Sequence, residues 1–112
     1  MASARTPYEP HICRRMHRRM TIEVPVVLIS SHIGTTKISS ARSFDLSAGG
    51  IRVQKMTNLL ADQPVFIEFR LPMAKDLIKM NAVVRHAGEQ FYGLEFHQTT
   101  QHQLEQIKMF CG

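Results

Sequence analysis

Residues 45–50 read Asp-Leu-Ser-Ala-Gly-Gly and lie between two apolar, strand-like runs. The side chains of Asp45 and Ser47 can each hydrogen-bond nearby backbone, as such residues commonly do in turns. Gly49 and Gly50 can adopt a positive φ or let another group approach the backbone closely. By itself this stretch predicts a hairpin or bulge connection, so the fold is organised around a strand, a turn and a second strand.

Alternating apolar residues precede this turn. Over residues 20–29 every second side chain is apolar and several are β-branched, which predicts a strand with one buried face. A more polar partner strand is expected over residues 36–46. In that strand we expect Ile38, Phe44 and Leu46 to point into the core.

The same alternation continues after the turn. Four further strands are predicted, over residues 51–53, 65–71, 77–87 and 91–96. The connection over residues 56–63 carries two leucines, Leu59 and Leu60, which we expect to pack against one end of a barrel.

The period of the pattern changes near the C-terminus. Thr99 or Thr100 is a suitable N-cap, and Gln103 stands three residues after Thr100, as a capping box requires. Apolar residues then recur at helical spacing, which predicts an amphipathic helix over about residues 99–111, covering a barrel end. Six short strands and one helix predict a mainly β fold, a small six-stranded antiparallel barrel with a C-terminal α-helix.

The chain of 112 residues suits one domain with one core. We expect residues 1–13 to be a flexible N-terminal segment and residues 14–112 to form the domain. No apolar stretch is long enough to span a bilayer, and the N-terminus lacks the apolar region of a signal peptide, so a cytoplasmic location is expected. Cys13 and Cys111 lie near opposite ends, and we expect both to be reduced.

A second stretch, Arg-Arg-Met-His-Arg-Arg over residues 14–19, holds four of the fourteen basic residues. This clustering, with a formal net charge of +5, indicates a local anion site and not a stripe that follows a nucleic-acid backbone. A guanidinium only donates hydrogen bonds, and an ionised Asp only accepts them. Guanine has two acceptors on one edge and N–H donors on another. Arginines and Asp45 on one surface would therefore suit a guanine base.

The two stretches together resemble the PilZ domain family. Arg15 to Arg19 matches the family's RxxxR motif, and Asp45 to Gly50 matches its [D/N]xSxxG motif, in the family's order. The segment Tyr92-Gly-Leu-Glu-Phe96 is similar to the family's final strand. The resemblance extends from Arg14 to near the C-terminus. It implies a PilZ-like barrel and a bacterial receptor for the second messenger cyclic di-GMP.

The resemblance also implies which residues bind the nucleotide. Arg15 and Arg19 would clamp guanine O6 and N7 and the phosphate oxygens, and Asp45 would accept hydrogen bonds from the N–H edge of a guanine. Ser47 would support the turn or contact the ligand, and Gly50 would permit the close approach of the ligand. Arg14 would make an auxiliary contact, and the exposed Arg85 would stack on a base. The full set is Arg14, Arg15, Arg19, Asp45, Ser47, Gly50 and Arg85.

No residue pattern typical of catalysis is present, so we expect no enzymatic activity and no cofactor. His11, Cys13 and His17 are rejected as a metal site, because no fourth ligand is evident and the nearby positive charge opposes a cation. Two alternatives to a nucleotide receptor stay open. One is a module that binds a polyanion, either nucleic acid or an anionic membrane. Of these two polyanions, nucleic acid is disfavoured. The other is a protein-interaction domain that binds no nucleotide.

A receptor of this kind would act through a partner. We expect ligand binding to order the N-terminal segment and so create a surface for an unidentified protein effector. Whether the domain forms a homodimer is open.

Overall fold

The computed structural model describes residues 19–111, which form seven antiparallel β-strands followed by one α-helix. The strands are β1 (Met20–Thr21), β2 (Pro25–His32), β3 (Thr35–Ser47), β4 (Gly50–Gln54), β5 (Pro64–Phe69), β6 (Ile78–Ala87) and β7 (Phe91–His97), and the helix is α1 (Gln101–Cys111). Where the sequence predicts one strand over residues 20–29, the structure has two, β1 and β2.

The strands close into a barrel. Along the sheet their order is β1-β3-β2-β5-β6-β7-β4, and β4 also pairs with β3. This additional pairing joins six strands into a ring, while β1 is an extra strand that pairs with the C-terminal part of β3. The predicted six-stranded antiparallel barrel with a C-terminal helix is confirmed.

The barrel is filled by the inward-facing side chains of its strands. In β2 the predicted alternation is confirmed, since Val26 and Leu28 are fully buried. Burial of such side chains is the main favourable contribution to folding. The largest fully buried side chains are those of Tyr92, Phe69, Leu28, Leu46 and Ile67 on the strands, and that of Ile107 on α1.

A buried serine explains why β1 and β2 are separate. Ser43 of β3 is 1% exposed, and its Oγ accepts a hydrogen bond from the Val24 N–H at 3.0 Å. The same hydroxyl donates to the Ile22 carbonyl oxygen at 2.8 Å. The side chain thereby satisfies two backbone groups where the regular ladder is interrupted, as buried backbone polar groups require.

A β-bulge interrupts β3 near its C-terminal end. Opposite β4, Ser43 pairs with Val53, but the next pair is Asp45 with Arg52. Phe44 is therefore one extra residue in β3, and the side chains after it point to the opposite face from the one that strict alternation predicts.

The bulge corrects part of the predicted core. Ala41 faces the core before the bulge and Leu46 faces it afterwards, and both are buried. Ile38 and Phe44 are 68% and 41% exposed, so the prediction that they point inward is wrong, whereas the prediction for Leu46 is confirmed. Period-two alternation cannot reveal a one-residue insertion, because the apolar pattern alone does not show where the phase changes.

The hairpin of β2 and β3 extends beyond its neighbours. Its two-residue turn, Ile33-Gly34, has positive φ at both residues, 50° and 74°, as a type I′ hairpin turn requires. β5 pairs with β2 only at residues 26–29, so within residues 19–111 the end of the hairpin has no third strand beside it.

The connection between β4 and β5 is attached to the barrel through Tyr92. The Tyr92 hydroxyl donates to the Thr57 carbonyl oxygen at 2.7 Å and accepts from the Leu59 N–H at 2.9 Å. Leu59 is buried as expected, but the expectation for Leu60 is wrong, because that side chain is 67% exposed. The Leu60 backbone instead forms a turn with Gln63, which leaves the Leu60 side chain outside.

Helix α1 begins at the predicted capping box. The Gln103 N–H donates to Thr100 Oγ1 at 3.1 Å, and the Thr100 N–H donates to Gln103 Oε1 at 3.2 Å, so Thr100 is the N-cap. Ile107 and Cys111 are buried, and Cys111 Sγ donates to the Leu46 carbonyl oxygen of β3 at 3.4 Å. Within residues 19–111, no helix has the length and apolar character needed to cross a membrane.

Candidate functional site

The pairing of β1 with β3 brings Arg19, the last residue of the RxxxR motif, beside the second motif. Met20 pairs with Leu46 and Thr21 pairs with Asp45, so Arg19 lies beside the end of β3. Arg19 Nη1 is 3.6 Å from Asp45 Oδ1, although the two residues are distant in sequence. The Arg19 side chain is 67% exposed, so it remains accessible to a ligand.

The bulge at Phe44 places Asp45 on the outside of the barrel. Without that extra residue, Asp45 would continue the inward positions of Ala41 and Ser43. With it, Asp45 faces outward opposite Arg52 of β4. Arg52 Nε and Nη2 both donate to Asp45 Oδ2, at 3.1 and 2.5 Å. The Asp45 side chain is only 12% exposed, because Arg52 and Arg19 cover it.

Ser47 supports the turn between β3 and β4. Its Oγ accepts a hydrogen bond from the Gly49 N–H at 3.2 Å. Gly50 has a structural reason of its own, since a Cβ at this position would collide with the Leu94 carbonyl oxygen of β7. These contacts explain why the fold needs Ser47 and Gly50 at these positions. That either residue also contacts a ligand stays a prediction.

An open cavity of about 560 Å³ lies on this face of the barrel. Its size falls in the range of small-molecule sites. Gly50 and Gly93 occupy outward positions of the neighbouring strands β4 and β7, so neither residue puts a side chain of its own into the cavity. The cavity is lined by Arg19, Asp45, Ser47, Gly49, Gly50, Ile51, Arg52, Arg85, His86, Phe91, Gly93, Leu94 and Glu95.

Arg85 is exposed on β6, as the strand pattern predicts, and it holds two carboxylates. Its Nε donates to Glu95 Oε1 at 2.7 Å, and its Nη1 donates to Asp62 Oδ1 at 2.9 Å. The hydrogen bond that Arg85 donates to Glu95 is the largest cause of a raised pKa for Arg85, followed by the one that it donates to Asp62. Hydrogen bonds from Arg85 and then His97 lower the pKa of Glu95. Arg85 is thus charged and already paired at the cavity rim.

Sequence reasoning missed Arg52 and Phe91. The Arg52 guanidinium carbon lies 4.6 Å from the centroid of the Phe91 ring, and Phe91 packs edge-on against Phe44. A signal for Arg52 was available in the sequence. Counting outward from a two-residue turn at residues 48–49 pairs Ser47 with Gly50 and Asp45 with Arg52, which is the observed register.

The structure brings five of the seven predicted residues to one cavity. These are Arg19, Asp45, Ser47, Gly50 and Arg85. The other two, Arg14 and Arg15, lie outside the described residues, as do the expected flexible segment over residues 1–13 and the rejected metal site. Over residues 19–111, no group of three or more His, Cys, Asp and Glu side chains is arranged to hold a metal ion.

Comparison with known proteins identifies a family. Residues 14–112 match the PilZ domain family. No curated protein matches the chain. Among solved structures, the chain is similar to the Bacillus subtilis inhibitor of motility, MotI/DgrA, with 20% identity and a TM-score of 0.72, covering 88% of this chain and 49% of that one. The chain thus spans about half the length of MotI/DgrA.

Two further structures have similar folds. One is the PilZ domain of CeSA from a cellulose synthesizing bacterium, with 21% identity and a TM-score of 0.63 over 83% of this chain and 93% of that one. The other is the PilZ domain of YcgR from Escherichia coli with c-di-GMP, with 15% identity and a TM-score of 0.68 over 88% of each chain. At these identities the similarity shows the fold alone.

Proposed function

Because the chain belongs to the PilZ domain family, we propose that it is a receptor for cyclic di-GMP with no catalytic activity of its own. The PilZ domain of YcgR, which shares the fold, was solved with this nucleotide. The observation that carries the proposal is the approach of Arg19 to Asp45, to 3.6 Å, at the rim of one cavity. These residues are the last of the RxxxR motif and the first of the DxSxxG motif.

Asp45 selects the base in this proposal. A carboxylate that faces outward at the cavity can accept hydrogen bonds from the N1–H and N2–H donors of guanine. Adenine presents an acceptor, N1, at the corresponding position, so its edge would oppose the carboxylate. The site should therefore prefer cyclic di-GMP to cyclic di-AMP.

The arginines supply the complementary contacts. Arg19 would donate to guanine O6 and N7 or to a phosphate oxygen, and Arg85 would stack on a base at the opposite side of the cavity. Arg15 is four residues before Arg19, so its Cα lies within about 14 Å of the Arg19 Cα in any chain conformation. We therefore propose that Arg15 binds the same ligand, with Arg14 as an auxiliary contact.

The energies required are moderate. A bidentate arginine–guanine pair contributes about 1–3 kcal/mol, and micromolar affinity corresponds to about 8 kcal/mol. Several contacts must therefore act together, and the loss of any one of them should weaken binding but need not abolish it.

Isothermal titration calorimetry tests the proposal. We expect the protein to bind cyclic di-GMP but not cyclic di-AMP, and we expect Arg19→Ala and Asp45→Ala each to weaken binding by about ten-fold or more, as the loss of a charge-assisted pair implies. Arg42→Ala is the matched control, because Arg42 is a half-exposed arginine of β3 that does not line the cavity. Absence of heat with cyclic di-GMP, or unchanged affinity in both cavity variants, would contradict the proposal.

Salt dependence separates this function from polyanion binding. A ligand with two phosphates should give a slope of log affinity against log salt of no more than about two, whereas many phosphate contacts give a much steeper one. A steep slope with single-stranded RNA or with anionic vesicles, and no binding of cyclic di-GMP, would favour the polyanion module.

We also propose how binding is transmitted. The ligand would draw residues 14–18 over the cavity, and the covered cavity would present a new surface to an unidentified protein effector. A ligand can shift a protein toward one state only through its better contacts with that state. Arg14 and Arg15, which precede Arg19 in the chain, would supply those contacts.

A further inference from the structure

Asp45, the carboxylate to which we assign guanine recognition, is already occupied by a side chain of the same protein. Arg52 donates two hydrogen bonds to Asp45 Oδ2, from Nε at 3.1 Å and from Nη2 at 2.5 Å. Among the described residues, Asp45 Oδ1 accepts no hydrogen bond, and its ion-pair contact is with Arg19, at a distance of 3.6 Å that exceeds hydrogen-bond distance. Of the two oxygens, Oδ2 is therefore the one engaged within the described part of the chain.

Arg52 presents the same donors to Asp45 as a guanine base would. A guanidinium has adjacent N–H groups in one plane. The Watson–Crick edge of guanine also has adjacent N–H donors, on N1 and on the exocyclic N2, and the atoms N1, C2, N2 and N3 of guanine are themselves a guanidine unit. A base that pairs with both oxygens of Asp45 needs Oδ2, which Arg52 now holds.

We propose that Arg52 is an internal competitor that occupies the guanine position on Asp45 and must leave Oδ2 before the base can bind. This inference rests on the proposed function, since it concerns the same carboxylate. Arg52 lines the cavity and is the direct cross-strand partner of Asp45. It lowers the affinity of the receptor, because part of the binding free energy of the base is spent on displacing it.

The surroundings of Arg52 allow it to leave. Its side chain is 38% exposed, and it has no hydrogen-bond partner other than Asp45 among the described residues. Its guanidinium lies 4.6 Å from the centre of the Phe91 ring, a contact that can be retained after the hydrogen bonds to Asp45 are broken. The ion pair is partly solvated, so the competition is modest in strength.

The test compares the affinity of Arg52→Met with that of the unaltered protein, by calorimetry with cyclic di-GMP. Methionine keeps an apolar side chain over Phe91 and removes every donor. We expect the Kd to fall by about two- to five-fold, which is the range of partly exposed ion pairs. Arg42→Met is the matched control for the loss of one positive charge, and its Kd should stay the same or rise slightly.

Each outcome decides the matter. A Kd that is unchanged or higher in Arg52→Met than in Arg42→Met would overturn the inference and leave the proposed function intact, and it would assign Arg52 a direct contact with the ligand if the rise is large. Arg52→Leu, which also lacks a hydrogen-bond donor, is the second variant, in case methionine disturbs the folded protein, and circular dichroism checks both. If neither the unaltered protein nor the variants bind cyclic di-GMP, the proposed function fails and this inference fails with it.

Discussion

Ser43 shows how one polar side chain can be essential to a barrel wall. Its hydroxyl accepts from the Val24 N–H and donates to the Ile22 carbonyl oxygen, and the side chain is 1% exposed. Nothing in the local sequence distinguishes Ser43 from the neighbouring serines at 39 and 40, because its role depends on backbone atoms about twenty residues earlier. The contact exists only once β3 has paired.

We predict that Ser43→Ala lowers the free energy of unfolding by about 1–3 kcal/mol, since it leaves a buried N–H and a buried carbonyl oxygen without partners. Urea denaturation followed by circular dichroism measures the change. Ser40→Ala is the control, because Ser40 is exposed on the same strand and should change stability by less than about 0.5 kcal/mol. Equal effects of the two substitutions would contradict the role that we assign to Ser43.

Asp45 is the residue on which the site depends. Its outward direction results from the bulge at Phe44, and bulges commonly redirect side chains near functional sites. The one inserted residue therefore moves the Asp45 carboxylate from an inward position to the rim of the cavity. Asp45 also forms ion pairs with both Arg19 and Arg52.

Among the elements, helix α1 is the one whose start is marked most locally. The reciprocal hydrogen bonds of Thr100 and Gln103 join residues that are three positions apart. Gln103 also donates to the Lys79 carbonyl oxygen at 2.7 Å, which ties the first turn of the helix to β6. At the other end, Cys111 is buried, and this burial raises the pKa of its thiol.

Thr100→Ala should destabilise the protein by about 1 kcal/mol, because the Gln103 N–H loses its capping acceptor. Thermal unfolding monitored by circular dichroism gives the difference. Thr99→Ala is the matched control, since Thr99 lies beside the cap and makes no hydrogen bond through its side chain in the described structure. A larger effect at Thr99 than at Thr100 would mean that the helix begins one residue earlier.

At the scale of the whole molecule, the closed ring of six strands leaves one face available for the ligand. The extra strand β1 pairs with β3 at the rim of the cavity, so Arg19, which directly precedes β1, lies at the site. A ligand held between Asp45 and the arginines would therefore connect the barrel to the residues before Arg19. This connection is the physical basis of the proposed signalling step.

We predict that saturating cyclic di-GMP slows tryptic cleavage after Arg14 and Arg15, because both side chains would be engaged by the ligand. Mass spectrometry of timed digests measures the rate at each site. In Asp45→Ala, or with cyclic di-AMP, cleavage should proceed as in the free protein. Equal rates with and without a ligand that calorimetry shows to be bound would exclude the ordering of this segment.

The sequence by itself determined the features that depend on near neighbours. Alternation identified the strands, because burial of one face imposes a period of two. The capping box identified the start of α1, and the DLSAGG turn identified the connection between β3 and β4. The family resemblance, and not a pattern of near neighbours, predicted Arg19, Asp45, Ser47, Gly50 and Arg85 as site residues. They line one cavity, and their contacts with a nucleotide stay a prediction.

The tertiary structure alone decided the features that depend on how strands align. The phase change at Phe44 exposes Ile38 and turns Asp45 outward, and no local pattern marks it. Gly50 and Gly93 line the cavity from strands far apart in sequence, and they lie on one face only because β4 pairs with β7. The physical reason is that register is set by packing over the whole barrel, and a shift of one residue moves a side chain from one face to the other.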